Sequence, residues 1–175
     1  MSDFGNVSEA GSISFERLLP GSIERAWSYL TDSELRATWL APGPMELRTG
    51  GRIELHFKHA DLTPYDEVTP DDYAAIADGT TLHCTVTACE PPRLLAFTWS
   101  DGSEVTMELT PQGDMTRLVL VHRRLDDRAL FIDVAAGWHT HLDLLVAHAE
   151  GASPPRFWDT HEALRIHYGA SEAAE

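Results

Sequence analysis

The sequence predicts an α+β fold in which a curved antiparallel sheet of six or seven strands wraps around one long C-terminal helix, with two short helices after strand 1. Three observations carry this. Apolar residues alternate with period two through most of residues 45–122. After Leu125 the period lengthens to 3.6 and holds for some twenty residues. A helical stripe also intrudes directly behind the first strand, before the rest of the sheet has begun.

The first strand is "ISFERLL", where Ile13 and Phe15 share a face that Arg17 finishes and Pro20-Gly21 stops. Ile23, Ala26, Trp27 and Leu30 then recur at i, i+3, i+4 and i+7. Ser22 caps this helix and Glu24 suits the positive end of its dipole. Thr31 and Glu34 read as a capping box with Leu30 and Leu35 as its staple, so 22–30 and 32–39 form two short helices meeting at a bend. Pro42 and Pro44 end the second.

Met45 and Leu47 alternate before Gly50-Gly51, and Ile53, Leu55 and Phe57 after it, which predicts a hairpin. The acidic stretch 60–79 holds two prolines and reads as an insertion or an edge-covering loop. Strands return with Leu82, Cys84, Val86 and Ala88 on one face, then Leu95, Phe97 and Trp99, then Val105, Met107 and Leu109, then Leu118, Leu120 and His122. Pro91-Pro92, Asp101-Gly102 and Gly113-Asp114 supply the turns between them.

The long helix is expected within 127–150, capped by Asp126 or Asp127 and stopped by Gly151, with Phe131, Val134, Trp138, Leu142, Leu145 and Ala149 along its stripe. Phe157, His161, Leu164 and Tyr168 mark a short amphipathic helix packed outside. The chain therefore divides into a flexible lead-in (1–11), one domain (12–151) and a C-terminal extension (152–175).

Composition excludes several classes. Thirteen basic against 28 acidic residues give a formal charge of −15, so the chain lacks the cationic footprint that nucleic acid or an anionic membrane demands. No apolar run approaches the roughly 20 residues of a membrane span. The N-terminus lacks the basic-then-apolar layout of a secretory signal, so a cytoplasmic protein is expected. On one regular strand, Cys84 and Cys89 point to opposite faces, which disfavours a disulfide between them.

Nine histidines raise the question of a metal. His139 and His141 point about 200° apart on a helix, and His141 and His148 stand about 10.5 Å apart along its axis, beyond the reach of one ion. With no HExxH and no CxxC, neither a metal nor another cofactor is expected. Ser100 and Ser103 flank a turn without the glycine-framed elbow of a hydrolase serine, and no glycine-rich phosphate loop follows a strand. His122 and His141 sit where both could enter the space between sheet and helix. Each is either a core histidine satisfied by hydrogen bonds or a group that orients a ligand or moves a proton.

The ordered set "LLPGSIERAWSYLTDSELRATWLAP" (18–42), "GGRIELHF" (50–57), "CEPPRLLAFTW" (89–99), "VTMELTPQGDMTRLVLVHRRL" (105–125) and "GWHTHLDLL" (137–145) resembles the START-like helix-grip superfamily (SRPBCC, the birch-pollen-allergen-like fold). Within it, the chain is most similar to the heat-shock protein 90 ATPase activator homologues. The resemblance implies a pocket between the concave face of the sheet and the long helix, used across the superfamily for hydrophobic small molecules. The residues expected to line it are Trp39, Leu55, Phe57, Cys84, Phe97, Trp99, Met107, Leu120, His122, Trp138, His141, Leu142 and Leu145. Trp99 and Trp138 are expected to face each other across it. The expected activity is binding of a small hydrophobic or aromatic molecule, with no catalysis assigned. The alternatives are a cyclase or isomerase using a pocket histidine, and a co-chaperone-like module with a protein partner or a homodimer.

Overall fold

The computed structural model describes residues 3–9 and 11–172. One antiparallel sheet is built from β1 (Asn6–Glu9), β2 (Ser12–Pro20), β3 (Arg52–Phe57), β4 (Thr80–Glu90), β5 (Leu94–Thr98), β6 (Glu104–Gln112) and β7 (Met115–Arg123). Its strand order is β1-β2-β7-β6-β5-β4-β3. Between β2 and β3 lie α1 (Ile23–Thr31) and α2 (Ser33–Ala37), and after β7 come α3 (Arg128–Glu150) and α4 (Phe157–Glu172). Among the described residues, no helix is long and apolar enough to cross a membrane.

Period two translates directly into a one-sided sheet. The register Ile13↔His122, Val105↔His122, Phe97↔Val105 and Val86↔Phe97 lines up one row across five strands, and every member is buried. Asp127 caps α3 by accepting from Leu130 N at 2.8 Å, and Gly151 ends it in the left-handed conformation at φ 71°.

Several local expectations are corrected. Within the expected lead-in, Asn6–Glu9 pair with β2 as an edge strand, while residues 1, 2 and 10 lie outside the described residues. The cap of α2 is Asp32, whose carboxylate accepts from Glu34 N and Leu35 N, both at 3.0 Å. The Thr31 hydroxyl instead points back along α1 and donates to Trp27 O.

The hairpin around Gly50-Gly51 is reduced to one bridge, Met45↔Ile53. Pro42 and Pro44 accept from His56 N and Glu54 N but have no N–H to return, so the segment lies along β3 without completing a ladder. The two glycines bond to Val86 of β4 instead. A β-bulge between Val86 and Ala88 brings Cys89 opposite buried Leu95, on the same face as Cys84. The opposite-face expectation held only for a regular strand, and both thiols are free.

The C-terminal helix is longer than expected, 16 residues, and packs along α3 with Phe157, Trp158, Leu164 and Tyr168 buried. The acidic insertion holds it in place. Glu67 accepts from Phe157 N and Trp158 N at 2.9 Å each, capping the helix from a distant segment. Tyr65 donates to Pro154 O, and Tyr73 stacks on Trp158 with ring centroids 4.9 Å apart while its hydroxyl donates to Asp133. With the sheet on one side and α4 on the other, α3 is buried on several faces, His139 and His141 included.

Candidate ligand pocket

Four residues on one stripe of α3, Val134, Gly137, Trp138 and His141, follow the spacing i, i+3, i+4 and i+7 and form one wall of a pocket. Phe57 at the end of β3, Trp99 just past β5 and His122 on β7 form the facing wall, and Leu40 after α2 closes one side. The cavity measures about 110 Å³. Trp99, Val134 and Gly137 are only half-buried and mark its mouth. The Trp99 and Trp138 rings meet edge to face, with centroids 5.7 Å apart and planes at 64°.

A chain of hydrogen bonds fixes the inner wall. Trp138 Nε1 donates to His122 Nδ1 at 2.9 Å. Indole N–H is only a donor, so Nδ1 must accept and the proton of neutral His122 sits on Nε2. Nε2 then donates to Ser103 Oγ at 2.7 Å, and the serine hydroxyl donates to Asp101 Oδ1 at 2.5 Å. This polarity is opposite to that of a nucleophilic serine, whose hydroxyl must give its proton to the histidine. Ser103 is 1% exposed and is not part of the pocket wall, so its hydroxyl does not meet a substrate carbonyl there. Burial holds His122 down at about 4, against a smaller upward pull from Asp101.

His141 has the other tautomer. Its Nδ1 lies 2.7 Å from Trp39 O, a carbonyl that can only accept, so Nδ1 carries the proton and Nε2 the lone pair. Burial, with His59 adding to it, holds this ring down at about 3. Trp39 itself is wholly buried and donates from Nε1 to Tyr29 O at 2.8 Å, tying α1 to the start of the next segment. Among the described residues, no three His, Cys, Asp or Glu side chains converge as a metal site requires.

The model of the family described as "Activator of Hsp90 ATPase homolog 1-like protein" matches residues 20–150. The chain belongs to this family. Among solved structures it is similar to the protein encoded by gene BPP1335 of Bordetella parapertussis, with 45% identity and a TM-score of 0.82 over 96% of this chain and 90% of that one. CalU16 from Micromonospora echinospora is 24% identical with a TM-score of 0.67, over 91% of this chain and 86% of that one. DynU16, of the dynemicin biosynthetic locus, is 19% identical with a TM-score of 0.66, over 85% of this chain and 51% of that one. At such identities the last two show a shared fold alone. No curated protein matches the chain.

In this Hsp90-activator-like chain, five of the residues expected at the pocket line it together: Phe57, Trp99, His122, Trp138 and His141. The other eight, Trp39, Leu55, Cys84, Phe97, Met107, Leu120, Leu142 and Leu145, are buried core. The cause is the filling of the sheet's concavity, which is shared among α3, the α1–α2 corner with Trp39, and the side chains of the central strands. What stays open is the end of the concavity near β3, β5 and the middle of α3. Leu40, Val134 and Gly137 were missed. Val134 stood on the α3 stripe already, and a glycine interrupting that stripe is the signal that locates the opening.

Proposed function

We propose that the protein binds a small, uncharged, mainly apolar molecule, about one aromatic ring in size, in the pocket between the sheet and α3. One observation carries this reading, the presence of Gly137 in the middle of α3. Glycine is about 1 kcal/mol less favourable than alanine in a helix interior. A Cβ built on Gly137 meets nothing within 4 Å, and the residue is not among those with positive φ, so neither crowding nor backbone conformation calls for glycine there. The missing side chain leaves volume beside Trp138 and Trp99, where an apolar ring would be flanked by indoles.

Size and charge narrow the ligand. A cavity of roughly 150 Å³ lined by apolar side chains accommodates benzene. At about 110 Å³ this pocket takes one ring partly inserted, with any further group at the half-buried mouth. No Lys, Arg, Asp or Glu lines it, and the overall charge of −15 repels anions.

A toluene titration followed by tryptophan fluorescence tests the proposal. The wild type should give a saturable change, and Gly137→Leu should lose it while keeping its far-UV circular dichroism. A wild type without a saturable response overturns the reading.

A further inference from the structure

We infer that the pocket selects a neutral aromatic ring that carries a hydroxyl donor, a phenol, through a hydrogen bond to His141 Nε2. The inference rests on the binding reading above and adds to it the polar group of the ligand. His122, the other histidine of the wall, has both ring nitrogens engaged, Nδ1 by Trp138 and Nε2 by Ser103. It has nothing left for a ligand. His141 is different, because its Nδ1 is taken by the Trp39 carbonyl and its Nε2 enters no hydrogen bond among the described residues.

The tautomer decides what the ligand must bring. With the proton held on Nδ1, Nε2 offers only a lone pair, so the complementary group is a donor and not an acceptor. A ring that lies against Trp99 and Trp138 and reaches His141 has its donor at the inner end and its remaining substituents towards the mouth at Val134 and Gly137. A carboxylate or phenolate oxygen would meet the lone pair head-on, with no cation in the lining to offset it. Methylation of the hydroxyl removes the donor while keeping the ring.

The test is an NMR titration of the wild type with phenol, anisole, toluene and benzoate, read at the Gly137 amide and the Trp138 indole N–H. Phenol should bind about 3- to 10-fold more tightly than anisole or toluene, the worth of one neutral hydrogen bond, and benzoate more weakly than all three. The ¹⁵N resonance of His141 Nε2 should move on adding phenol and stay in place with toluene. His141→Gln, whose amide can donate to Trp39 O while its oxygen accepts, should keep the preference, and His141→Leu should abolish it.

If phenol and toluene bind equally, or if the preference survives His141→Leu, the selection is not made by His141 and the inference fails while the pocket stands. If none of the rings binds, the binding reading fails first and takes this one with it. Should His141→Leu not fold, the wild-type series and the ¹⁵N shift still decide.

Discussion

Trp138 Nε1 donates a 2.9 Å hydrogen bond to His122 Nδ1, joining the long helix to β7. That bond exists only while His122 is neutral, because protonation would place an N–H against an N–H. The same bond orients the indole that meets Trp99 edge to face at the pocket. Ring orientation, histidine protonation and the shape of the cavity are thus one linked state.

Stability should therefore depend on pH, with a definite sign. His122 titrates at about 4 in the folded chain against 6.5 for an unperturbed histidine. Burial likewise holds His59 and His139 at about 4 and His141 at about 3, and lowers His161. Between these values the unfolded chain binds more protons than the folded one. Stability is then fully present above about pH 6.5 and is lost as pH falls towards 4. Each such histidine adds about 1.4 kcal/mol per pH unit to the slope. Urea unfolding at intervals between pH 4.5 and 6 should show this fall, and His122→Gln should remove about one proton's worth of it. An unchanged slope in the variant would mean that His122 is protonated in the folded state.

Glu67 offers a second test, because it caps a helix that begins ninety residues later. Glu67→Ala leaves the Phe157 and Trp158 amides without their acceptor. The expected loss is about 1 kcal/mol, the usual worth of a cap. Hydrogen exchange should quicken at the first turn of α4 and not in the central strands. Uniform quickening would show that α4 and the sheet open together.

Leu120→Trp separates core from pocket. Leu120 is 0% exposed and sits opposite both Phe15 and Met107, in the filled part of the concavity. The larger side chain should overpack and destabilise by about 1–3 kcal/mol, measured by thermal or urea unfolding. Tolerance of the tryptophan without loss would reveal free volume beneath β7.

Much of this molecule could be read in its residues. Period two located β4 to β7, and the change of period with Asp127 and Gly151 bounded α3 to within about a residue, because each of these signals is local. What was not legible depends on distant partners. Glu67 caps α4 across the fold, and Pro42 and Pro44 weaken a hairpin through donors they lack. The bulge after Val86 turns Cys89 inward although nothing in "TVTACE" announces it. For the site, Phe57, Trp99, His122, Trp138 and His141 were within reach of pattern reasoning, since all are aromatic or titratable residues at the ends of strands or on the helix stripe. The eight residues that proved to be core look identical in sequence, because facing α3 and being covered by its neighbours are separate facts. Only packing distinguishes them.

Gly137 is where stability and function pull apart, and two substitutions measure both. Gly137→Ala should stabilise the protein by about 0.5–1 kcal/mol, since alanine is the better helix former and its methyl meets open space. The midpoint of urea unfolding should rise with no change in its slope. Gly137→Leu should also fold, because leucine suits a helix and the direction of its Cβ is unobstructed, but its side chain would occupy the volume beside Trp138 and Trp99. Toluene should then bind more weakly to the alanine variant and not measurably to the leucine variant, in the order of side-chain volume. Stability that holds or rises while binding falls is the signature of an open site. If Gly137→Ala instead destabilises, the space beside α3 is occupied in solution, the glycine is there for packing, and the pocket is not available to a ligand.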